Sequence, residues 1–430
     1  MTLDEDIAAA LRLHREGRAE EALTCCLPLL AHDLADFRIH FLLGMLYRQL
    51  DNIPAAVTHF NRASELQPDL ASAHYNLGVL YYSAGNLDQA EAAYRRAAEL
   101  APEDPDIFFN LALTCKNLGR YDEAERCYQQ VLALNPDDSD THYNLGVLLR
   151  ETDQPDAAIA AFTRTVTLAP GYLAAYKHLG ALHHLLGNTK KALVCYRTIL
   201  QLDPGNESAR HMIAALSGET PTASPLTYVQ ELFDRFAAAY ETTMTDKLAS
   251  TVEIQLRELL DQHVAGLLFA RGLDMGCGTG LSGLAFRDRV KHLSGFDISA
   301  GMLDKAREKG IYDELYLADI STFLGKTTER FDLFLAADVF VYLGDLAAIF
   351  TLVRDRARPG ALFLFSAETG IDDFQLRSSG RFAHGTDYID RLARQSGFTV
   401  ACRQPAELRR EKGEWITGHL FLLRLGKAAL

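Results

Sequence analysis

The stretch Arg271–Gly280 reads Arg-Gly-Leu-Asp-Met-Gly-Cys-Gly-Thr-Gly and lies between two runs of different character. An apolar run, Ala265–Ala270, precedes it, and a run of helical composition, Leu281–Arg289, follows it, which predicts a strand, a tight turn and a helix. Glycine suits such a turn because it lacks a Cβ and adopts positive φ without strain, so the backbone can approach a nucleotide-like ligand. A dinucleotide-binding turn needs glycine at its first, third and sixth positions, but Leu281 stands at the sixth position here. NAD is therefore the less favoured ligand for this turn.

Acidic residues follow the further apolar runs downstream of this turn. Asp297 ends the second run, 23 residues after Asp274, where a carboxylate at the end of a strand would meet ribose hydroxyls. Asp319 ends the third run, and Ala337 and Asp338 follow the fourth. Helical stretches separate these runs, and that alternation predicts a parallel sheet with right-handed crossovers. Because ligands bind outside the carboxyl ends of parallel strands, these residues are predicted to share one site.

The pattern Asp274-x-Gly276-x-Gly278-x-Gly280 resembles motif I of the class I methyltransferases, which use S-adenosylmethionine (SAM). Ala318-Asp319-Ile320 resembles the adenine-contacting turn of that family, and Ala337-Asp338 stands at the position of its motif IV. The whole of 227–430 resembles a group of predicted bacterial methyltransferases that carry an N-terminal repeat array. The stretches shared with that group are Gly301–Gly310, Ala336–Asp345 and Ser379–Gly385.

This resemblance implies a Rossmann-like α/β domain with a seven-stranded sheet and with SAM as its cofactor. The cofactor-binding residues that it implies are Tyr240, Asp274, Gly276, Cys277, Gly278, Gly280, Asp297, Ile298, Met302, Asp319, Ile320 and Ala337. Tyr240 lies in the predicted amphipathic helix Tyr228–Met244 and ends the run Phe233–Tyr240, which resembles the N-terminal lid helix of small-molecule methyltransferases. Cys277 is expected to pack in the turn as a small side chain rather than to act in redox chemistry.

His384 is the candidate catalytic residue. Methyl transfer from a sulfonium is an in-line displacement, so much of the rate can come from placing the nucleophile against the methyl carbon. A carboxylate acceptor needs no base, whereas a hydroxyl or an amine needs one, and a histidine near neutrality would serve. His384 is predicted to lie on a loop after strand five, and the alternative is that it only holds this loop. Asp338, Tyr342 and Glu368 are further candidates for orienting the acceptor.

The N-terminal half repeats itself every 34 residues. Three columns show the period: prolines at 68, 102, 136, 170 and 204, alanines at 56, 90, 124, 158 and 192, and aromatics at 60, 94, 128, 162 and 196. A fourth column has glycine at 44, 78, 146 and 180, with Ala112 in its third place. The pattern resembles the tetratricopeptide repeat (TPR), in which small residues sit where two antiparallel helices cross and proline ends the second helix.

The period predicts a TPR array over 3–217, with a degenerate repeat at 3–36, five full repeats over 37–206 and a capping helix at 207–217. Residues 218–226 have the Gly, Pro, Ser and Thr content of a linker. The methyltransferase domain is then predicted to span 227–430. The predicted fold class is therefore two-domain, an all-α TPR solenoid followed by an α/β Rossmann-like domain.

One column of the array bears on partner binding. Asn76, Asn110 and Asn144 recur 34 residues apart, and His178 continues the column. An asparagine amide offers both donors and an acceptor, so these side chains could hold an extended peptide in the concave groove. The column resembles the asparagine ladder of O-GlcNAc transferases, and the alternative is that it ties neighbouring helices together or faces water. Basic residues that would favour an acidic stretch of the partner are Arg48, Lys116, Arg150 and Lys177.

Composition excludes several classes of function. The net charge of −14 disfavours nucleic acid as partner or substrate, because an acidic surface repels phosphate. No run approaches the roughly 18 apolar residues of a membrane helix, and the acidic N-terminus does not resemble a signal peptide. The seven cysteines form no C-x-x-C motif, which fits a reducing cytoplasm. His178, His183 and His184 are not spaced for one helical metal face, so no metal site is predicted.

These observations predict a cytoplasmic SAM-dependent methyltransferase whose repeats recruit a protein partner or substrate. The acceptor would be that protein or a small molecule that it carries. The alternative function is a TPR adaptor that binds SAM without significant turnover.

Overall fold

The computed structural model describes residues 3–31, 35–237, 240–242, 244, 248–411 and 413–426. The chain forms two compact units, Met1–Asn188 and Thr189–Leu430. This division falls between the two helices of the last predicted repeat, upstream of the stretch 218–226 that the sequence predicts as a linker.

The first unit is built from pairs of antiparallel helices, as the 34-residue period predicts. Its helices are α1 (Leu3–Arg15), α2 (Ala19–Cys26), α3 (Phe37–Gln49), α4 (Ile53–Leu66), α5 (Ala71–Ser83), α6 (Leu87–Leu100), α7 (Pro105–Asn117), α8 (Tyr121–Leu134), α9 (Ser139–Glu151), α10 (Pro155–Leu168) and α11 (Leu173–Leu185). Aspartates start three of the first helices in these pairs: Asp36, Asp104 and Asp138 each accept a hydrogen bond from the backbone N–H two residues later.

The glycine and aromatic columns meet where the two helices of a repeat cross. A Cβ on Gly78 would lie 2.6 Å from the ring of Tyr94, and one on Gly146 would lie 2.8 Å from the ring of Phe162. The aromatic rings are fully buried, so they cannot move aside without opening the core. The prolines of the repeat follow the second helices by two residues, as at Pro102 after α6.

The second unit begins with a run of helices and continues, from its first strand onward, as an alternation of helices and strands. Its helices are α12 (Thr189–Leu202), α13 (Glu207–Ser217), α14 (Leu226–Phe236), α15 (Tyr240–Thr242), α16 (Val252–His263), α17 (Leu281–Phe286), α18 (Ala300–Lys309), α19 (Ile320–Lys326), α20 (Ala347–Arg356) and α21 (Thr386–Gln395). Its strands are β1 (Phe269–Met275), β2 (Val290–Asp297), β3 (Glu314–Leu317), β4 (Phe331–Ala336), β5 (Ala357–Glu368), β6 (Phe374–Leu376), β7 (Phe382–His384), β8 (Phe398–Glu411) and β9 (Glu414–Leu425).

Seven of these strands form one sheet in the order β3-β2-β1-β4-β5-β9-β8. The first five strands of this order are parallel, and β9 pairs antiparallel with both β5 and β8. Side chains alternate between two buried faces: Phe334 and Phe363 pack on one face, and Leu333 and Leu364 pack on the other. The structure thus confirms the predicted fold class, a helical solenoid followed by an α/β domain with a mostly parallel seven-stranded sheet.

The stretch 218–226 lies inside the second unit, where its backbone pairs with the loop after β4. Ala223 pairs with Leu343 as an isolated β-bridge, and the Ser224 N–H donates to the Tyr342 carbonyl at 3.0 Å. The Thr222 carbonyl accepts from the N–H groups of Gly344 and Asp345, at 3.0 and 2.8 Å. A composition rich in Gly, Pro, Ser and Thr shows that a segment lacks regular secondary structure, but not where its backbone hydrogen bonds go.

Two further predictions concern the helix expected over Tyr228–Met244 and membrane-spanning segments. Tyr228–Met244, predicted as one helix, overlaps α14, which begins two residues earlier at Leu226, and includes α15, while residues 238, 239 and 243 lie outside the described part of the chain. Across the described ranges, no helix combines the length and the apolar character that crossing a membrane requires.

Candidate functional site

A cavity of about 360 Å³ lies at the carboxyl ends of β1, β2 and β4, within the size range of small-molecule sites. Eight of the predicted cofactor residues line it: Tyr240, Gly276, Gly278, Asp297, Ile298, Asp319, Ile320 and Ala337. The other lining residues are Ala223, Ser224, Leu226, Val229, Phe233, Phe296, Ala318, Ser321, Asp338, Val339, Tyr342, Leu343 and Ile349.

The glycine turn after β1 forms one wall of the cavity. Gly276, Gly278 and Gly280 all have positive φ, at 69°, 53° and 95°. A Cβ on Gly276 would lie 2.8 Å from the Val339 side chain, whereas a Cβ on Gly278 would meet open space. The turn is anchored to β2, because the N–H groups of Gly276 and Cys277 both donate to the Phe296 carbonyl at 2.9 Å.

Asp297 ends β2 and faces the cavity with a carboxylate that the backbone already holds. Its Oδ2 accepts from the Gly278 N–H and its Oδ1 from the Ser299 N–H, both at 2.9 Å. The residue is 8% exposed, and burial raises the pKa of Asp297 above its ordinary value while these N–H groups oppose the rise. A carboxylate can accept about four hydrogen bonds, so each oxygen keeps capacity for a ligand hydroxyl. These remaining acceptor positions fit the two hydroxyl donors of the ribose of SAM.

The neighbouring wall suits an adenine ring. Ile298 and Ile320 supply apolar surface, and Asp319 lies between the end of β3 and the start of α19. The Asp319 Oδ1 accepts from the Thr322 N–H at 3.0 Å and so caps α19, which fixes the side chain at the cavity edge.

Four predicted cofactor residues are not among those that line the cavity: Asp274, Cys277, Gly280 and Met302. Asp274 is 1% exposed, and its Oδ2 accepts from the Tyr312 hydroxyl at 2.7 Å. Burial raises the pKa of Asp274 to about 7. Its Oδ1 is buried and has no hydrogen-bond partner. Motif spacing gives the position of a residue along the strand but not the direction of its side chain, and Asp274 points into the packing beneath the turn.

The other three residues support the turn from behind. Gly280 starts α17 in the left-handed conformation and lies against Tyr312. Cys277 is buried beside Gly295, as expected for a packing side chain. Met302 is fully buried, and its N–H donates to the Ser299 hydroxyl at the start of α18.

His384 is not brought into the cavity. It ends β7 rather than lying on a loop, is 2% exposed, and its Nε2 lies 2.9 Å from the Leu343 carbonyl and 3.0 Å from the Gly344 carbonyl. Since carbonyls only accept, Nε2 carries the proton, and Nδ1 is buried without a hydrogen-bond partner. Burial lowers the pKa of His384 to about 4. This geometry places His384 outside the cavity, with its proton held by the backbone after β4, and does not support the expected role as a base.

The residues expected to orient an acceptor separate into two groups. Asp338 and Tyr342 line the cavity, whereas Glu368 is fully buried behind them. Asp338 adopts φ of 54°, and its N–H donates to the Ser366 hydroxyl at 2.8 Å. Non-glycine residues rarely hold this conformation unless neighbouring groups fix it, and such positions cluster at functional sites.

Sequence analysis missed the wall that Ala223, Ser224, Leu226 and Val229 contribute. These residues come from the stretch predicted as a linker and from the start of α14. No motif marks them, because their place depends on backbone pairing with a loop more than a hundred residues later.

The asparagine column lies on the first helices of its repeats, and its amides are partly engaged. The Nδ2 atoms of Asn76, Asn110 and Asn144 each donate to the carbonyl four residues earlier in the same helix, at 2.7–2.8 Å. Among the described residues, Asn110 is the one asparagine of the column that also reaches a neighbouring repeat, through the Tyr75 hydroxyl at 3.3 Å. Two of the basic residues named with this column have partners as well: Lys116 pairs with Glu151 at 3.1 Å, and Arg150 contacts His178 at 2.8 Å.

One group of metal-ligand types occurs among the described residues, namely Glu91, Cys115 and Glu123. Its Glu91 carboxylate already accepts from Arg95 at 2.8 Å and from Arg120. These arginines neutralise the group, so it gives no support for a metal site.

Family models match both halves of the chain. Tetratricopeptide-repeat models match residues 7–71, 41–105, 109–172 and 174–206, and a methyltransferase-domain model matches residues 273–360. A crystal structure of YrrB, described as a TPR protein with an unusual peptide-binding site, is 21% identical, with a TM-score of 0.40 over 43% of this chain and 96% of that chain.

Curated relatives match part of the chain. A malonyl-[acyl-carrier protein] O-methyltransferase of Serratia marcescens is 30% identical over 174 residues, which are 40% of this chain and 66% of the relative. The enzyme of the same name from Yersinia pestis is 30% identical over 143 residues, 33% of this chain and 51% of the relative. The chain thus spans about half to two thirds of these relatives. It carries tetratricopeptide repeats in its N-terminal part and a methyltransferase domain in its C-terminal part.

Proposed function

We propose that the chain binds SAM in the cavity at the strand ends and transfers its methyl group to an acceptor that enters the same cavity. The observation that carries this proposal is the Asp297 carboxylate, which faces the cavity while the glycine turn holds it in place. The methyltransferase-domain match over 273–360 includes both parts of this arrangement.

Each wall of the cavity has a distinct part in holding SAM. Asp297 would accept hydrogen bonds from the ribose hydroxyls, and Gly276 and Gly278 would let the backbone come close. Ile298 and Ile320 would enclose the adenine. When bound, SAM supplies an electrophilic methyl group on a sulfonium sulfur. The contribution of the chain is to exclude water and to hold the acceptor in line with that methyl group.

A carboxylate is the acceptor class that the lining residues favour. Among the described residues that line the cavity there is no histidine or lysine that could remove a proton from a hydroxyl or an amine. Its aspartates already accept hydrogen bonds, Asp319 from Thr322 and Asp338 from Arg409. A carboxylate needs no base, and the curated relatives are named as O-methyltransferases.

The TPR array is proposed to recruit a protein that is the acceptor or carries it. TPR models cover most of 7–206, and such arrays present long concave surfaces for binding. Because the asparagine amides already donate within their helices, a bound peptide would use the amide oxygens of all three residues and the remaining N–H of Asn76 and Asn144.

Calorimetry with SAM tests the proposed cofactor site. Asp297→Ala should weaken SAM binding by about 2–4 kcal/mol, because two charge-assisted hydrogen bonds are lost. Asp304→Ala is the matched control, since Asp304 is an exposed acid on α18 that pairs only locally with Arg307. An affinity of Asp297→Ala within about threefold of the parent would contradict the assignment.

A further inference from the structure

Six charged side chains form a cluster beside the cavity: Arg377, Arg381, Arg409, Asp338, Glu368 and Glu411. Arg409 is its centre, 1% exposed, and it binds all three acids. Its Nη1 donates to Asp338 at 2.9 Å, its Nε donates to Glu411 at 2.8 Å, and its Nη2 donates to Glu368. Arg377 donates to the Thr369 carbonyl and lies 3.5 Å from Glu368.

Arg381 differs from the other two arginines. Within the described part of the chain its guanidinium makes no hydrogen bond, and its Nη1 is buried without a partner. Its nearest acids are at long distances, 3.5 Å from the Asp338 Oδ2 and 3.9 Å from the Glu411 Oε1. Only 20% of its side-chain surface is exposed.

Among the described residues Arg381 lacks a hydrogen-bond acceptor within reach, although the cluster does not lack negative charge. Three arginines balance three carboxylates, but all three carboxylates are directed at Arg409. A guanidinium carries five N–H donors, and burying such donors without acceptors costs free energy. Leaving a buried charge incompletely paired is costly, and ionisable groups in such surroundings cluster at functional sites, so an anionic ligand would supply the missing acceptor.

The position of Arg381 shows where that ligand would lie. Its guanidinium carbon is 5.8 Å from the ring centre of Tyr342, and Asp338 is the acid nearest to it. Both residues line the cavity, so Arg381, which is not itself among the lining residues, lies directly beside two of them.

The backbone that carries Arg381 is held on both sides. The Gly380 N–H donates to the Arg377 carbonyl and the Arg377 N–H donates to the Arg381 carbonyl, both at 2.9 Å, which closes the turn between β6 and β7. On α13, the His211 Nε2 lies 2.9 Å from the Gly380 carbonyl and so can donate to it. A guanidinium on such a fixed turn is preorganised, which lowers the cost of binding an anion.

We propose that Arg381 is the anion-binding residue of the cavity and that its guanidinium binds the carboxylate of a ligand there. The planar fork of arginine matches the two oxygens of a carboxylate. This proposal rests on the proposed function and deepens it. Two ligands could supply the carboxylate, namely the methionine part of SAM and the acceptor.

The test compares Arg381→Met, Arg381→Lys and the control Arg391→Met in the full chain. Arg391 is exposed on α21, where it pairs with Asp373 at 2.6 Å, away from the cluster. Thermal unfolding without ligand comes first. Removing an unpaired donor should leave the midpoint of Arg381→Met equal to or above that of the parent, whereas Arg409→Met should lower it, since three acids lose their partner.

Binding and transfer are then measured with SAM, with methylthioadenosine, which lacks the carboxylate, and with labelled SAM in an extract of the native host. If the carboxylate is that of SAM, Arg381→Met should bind SAM at least about tenfold more weakly than the parent does. Its affinity for methylthioadenosine should equal that of the parent. If the carboxylate is that of the acceptor, SAM binding is retained and methyl transfer falls at least about tenfold. Arg381→Lys should lie between Arg381→Met and the parent, because it keeps the charge without the fork.

SAM affinity and transfer of Arg381→Met both within about threefold of the parent would overturn the proposal. An unfolding midpoint lowered as far as in Arg409→Met would also overturn it, because it would assign a structural role. Failure of the parent itself to bind SAM would instead refute the proposed function.

Discussion

Gly278 donates its backbone N–H to Oδ2 of Asp297 at 2.9 Å and so joins the turn after β1 to the end of β2. The hydrogen bond fixes the carboxylate relative to the turn, although the two residues are 19 positions apart. The glycine turn and the acidic residue therefore form one unit, and a change to either should alter the binding of SAM.

Gly278→Ala tests this coupling. Gly278 has φ of 53°, so alanine there costs roughly 1 kcal/mol and displaces the N–H that holds Asp297. SAM affinity should fall by about fivefold or more. Gly310→Ala is the matched control, because Gly310 has φ of 60°, also faces open space and ends α18 away from the cavity. Equal SAM affinities for the two variants, measured by calorimetry, would contradict the coupling.

Because the pKa of Asp274 is raised in the folded state, the free energy of unfolding should fall as pH rises. Burial raises the pKa of Asp274 to about 7, above its ordinary value near 3.9. Between these values the folded state keeps a proton that the unfolded state has lost, so stability is greatest at low pH and falls as pH approaches 7. Between pH 5 and pH 8 the free energy of unfolding of the parent should fall, and that of Asp274→Asn should fall by about 1–3 kcal/mol less. Urea unfolding at the two pH values measures both. A parallel loss in both proteins would show that Asp274 is ionised when folded.

The parts of the chain that sequence analysis predicts well are those whose contacts are local or repeated. Gly78 meets Tyr94 within one repeat, so the two columns appear together at a fixed spacing. The alternation of strands and helices likewise places Asp297 at the end of β2, at the edge where the cavity lies.

The missed features depend on contacts between distant segments. His211 and Gly380 are 169 residues apart, and Arg409 and Asp338 are 71 apart. Neither pair forms part of one sequence motif. The direction of a side chain within a motif cannot be predicted from the sequence either, as Asp274 shows.

His384 should affect stability rather than the chemical step. His384→Asn removes the hydrogen bond from Nε2 to the Leu343 and Gly344 carbonyls, which should lower the free energy of unfolding by about 1–3 kcal/mol at pH 7. The pKa of the folded state, about 4, lies below the ordinary value, so stability is complete above about pH 6.5 and is lost as pH falls towards 4. Urea unfolding should therefore show that the free energy of unfolding falls less between about pH 6.5 and pH 4 in His384→Asn than in the parent. A hundredfold lower turnover with unchanged stability would restore His384 as a base.

The asparagine column should matter for partner binding and little for folding. Alanine is the best helix former, so the triple Asn→Ala variant at 76, 110 and 144 should keep its circular dichroism spectrum. Recovery of a partner from host extract by the full-length chain should be lost with this variant. Asn86→Ala is the control, since Asn86 is exposed in a turn and makes no capping hydrogen bond. Unchanged recovery by the folded triple variant would refute the peptide ladder.

Transfer of a labelled methyl group from SAM into an extract of the native host tests the central claim most directly, with the parent and Asp297→Ala run side by side and the products separated into protein and small molecules. The account predicts label in one of these fractions with the parent and about thirtyfold less or none with Asp297→Ala, as expected for a loss of 2 kcal/mol or more in SAM binding at low SAM concentration. Binding of SAM by the parent without transfer of label to either fraction would contradict it and would identify the chain as an adaptor.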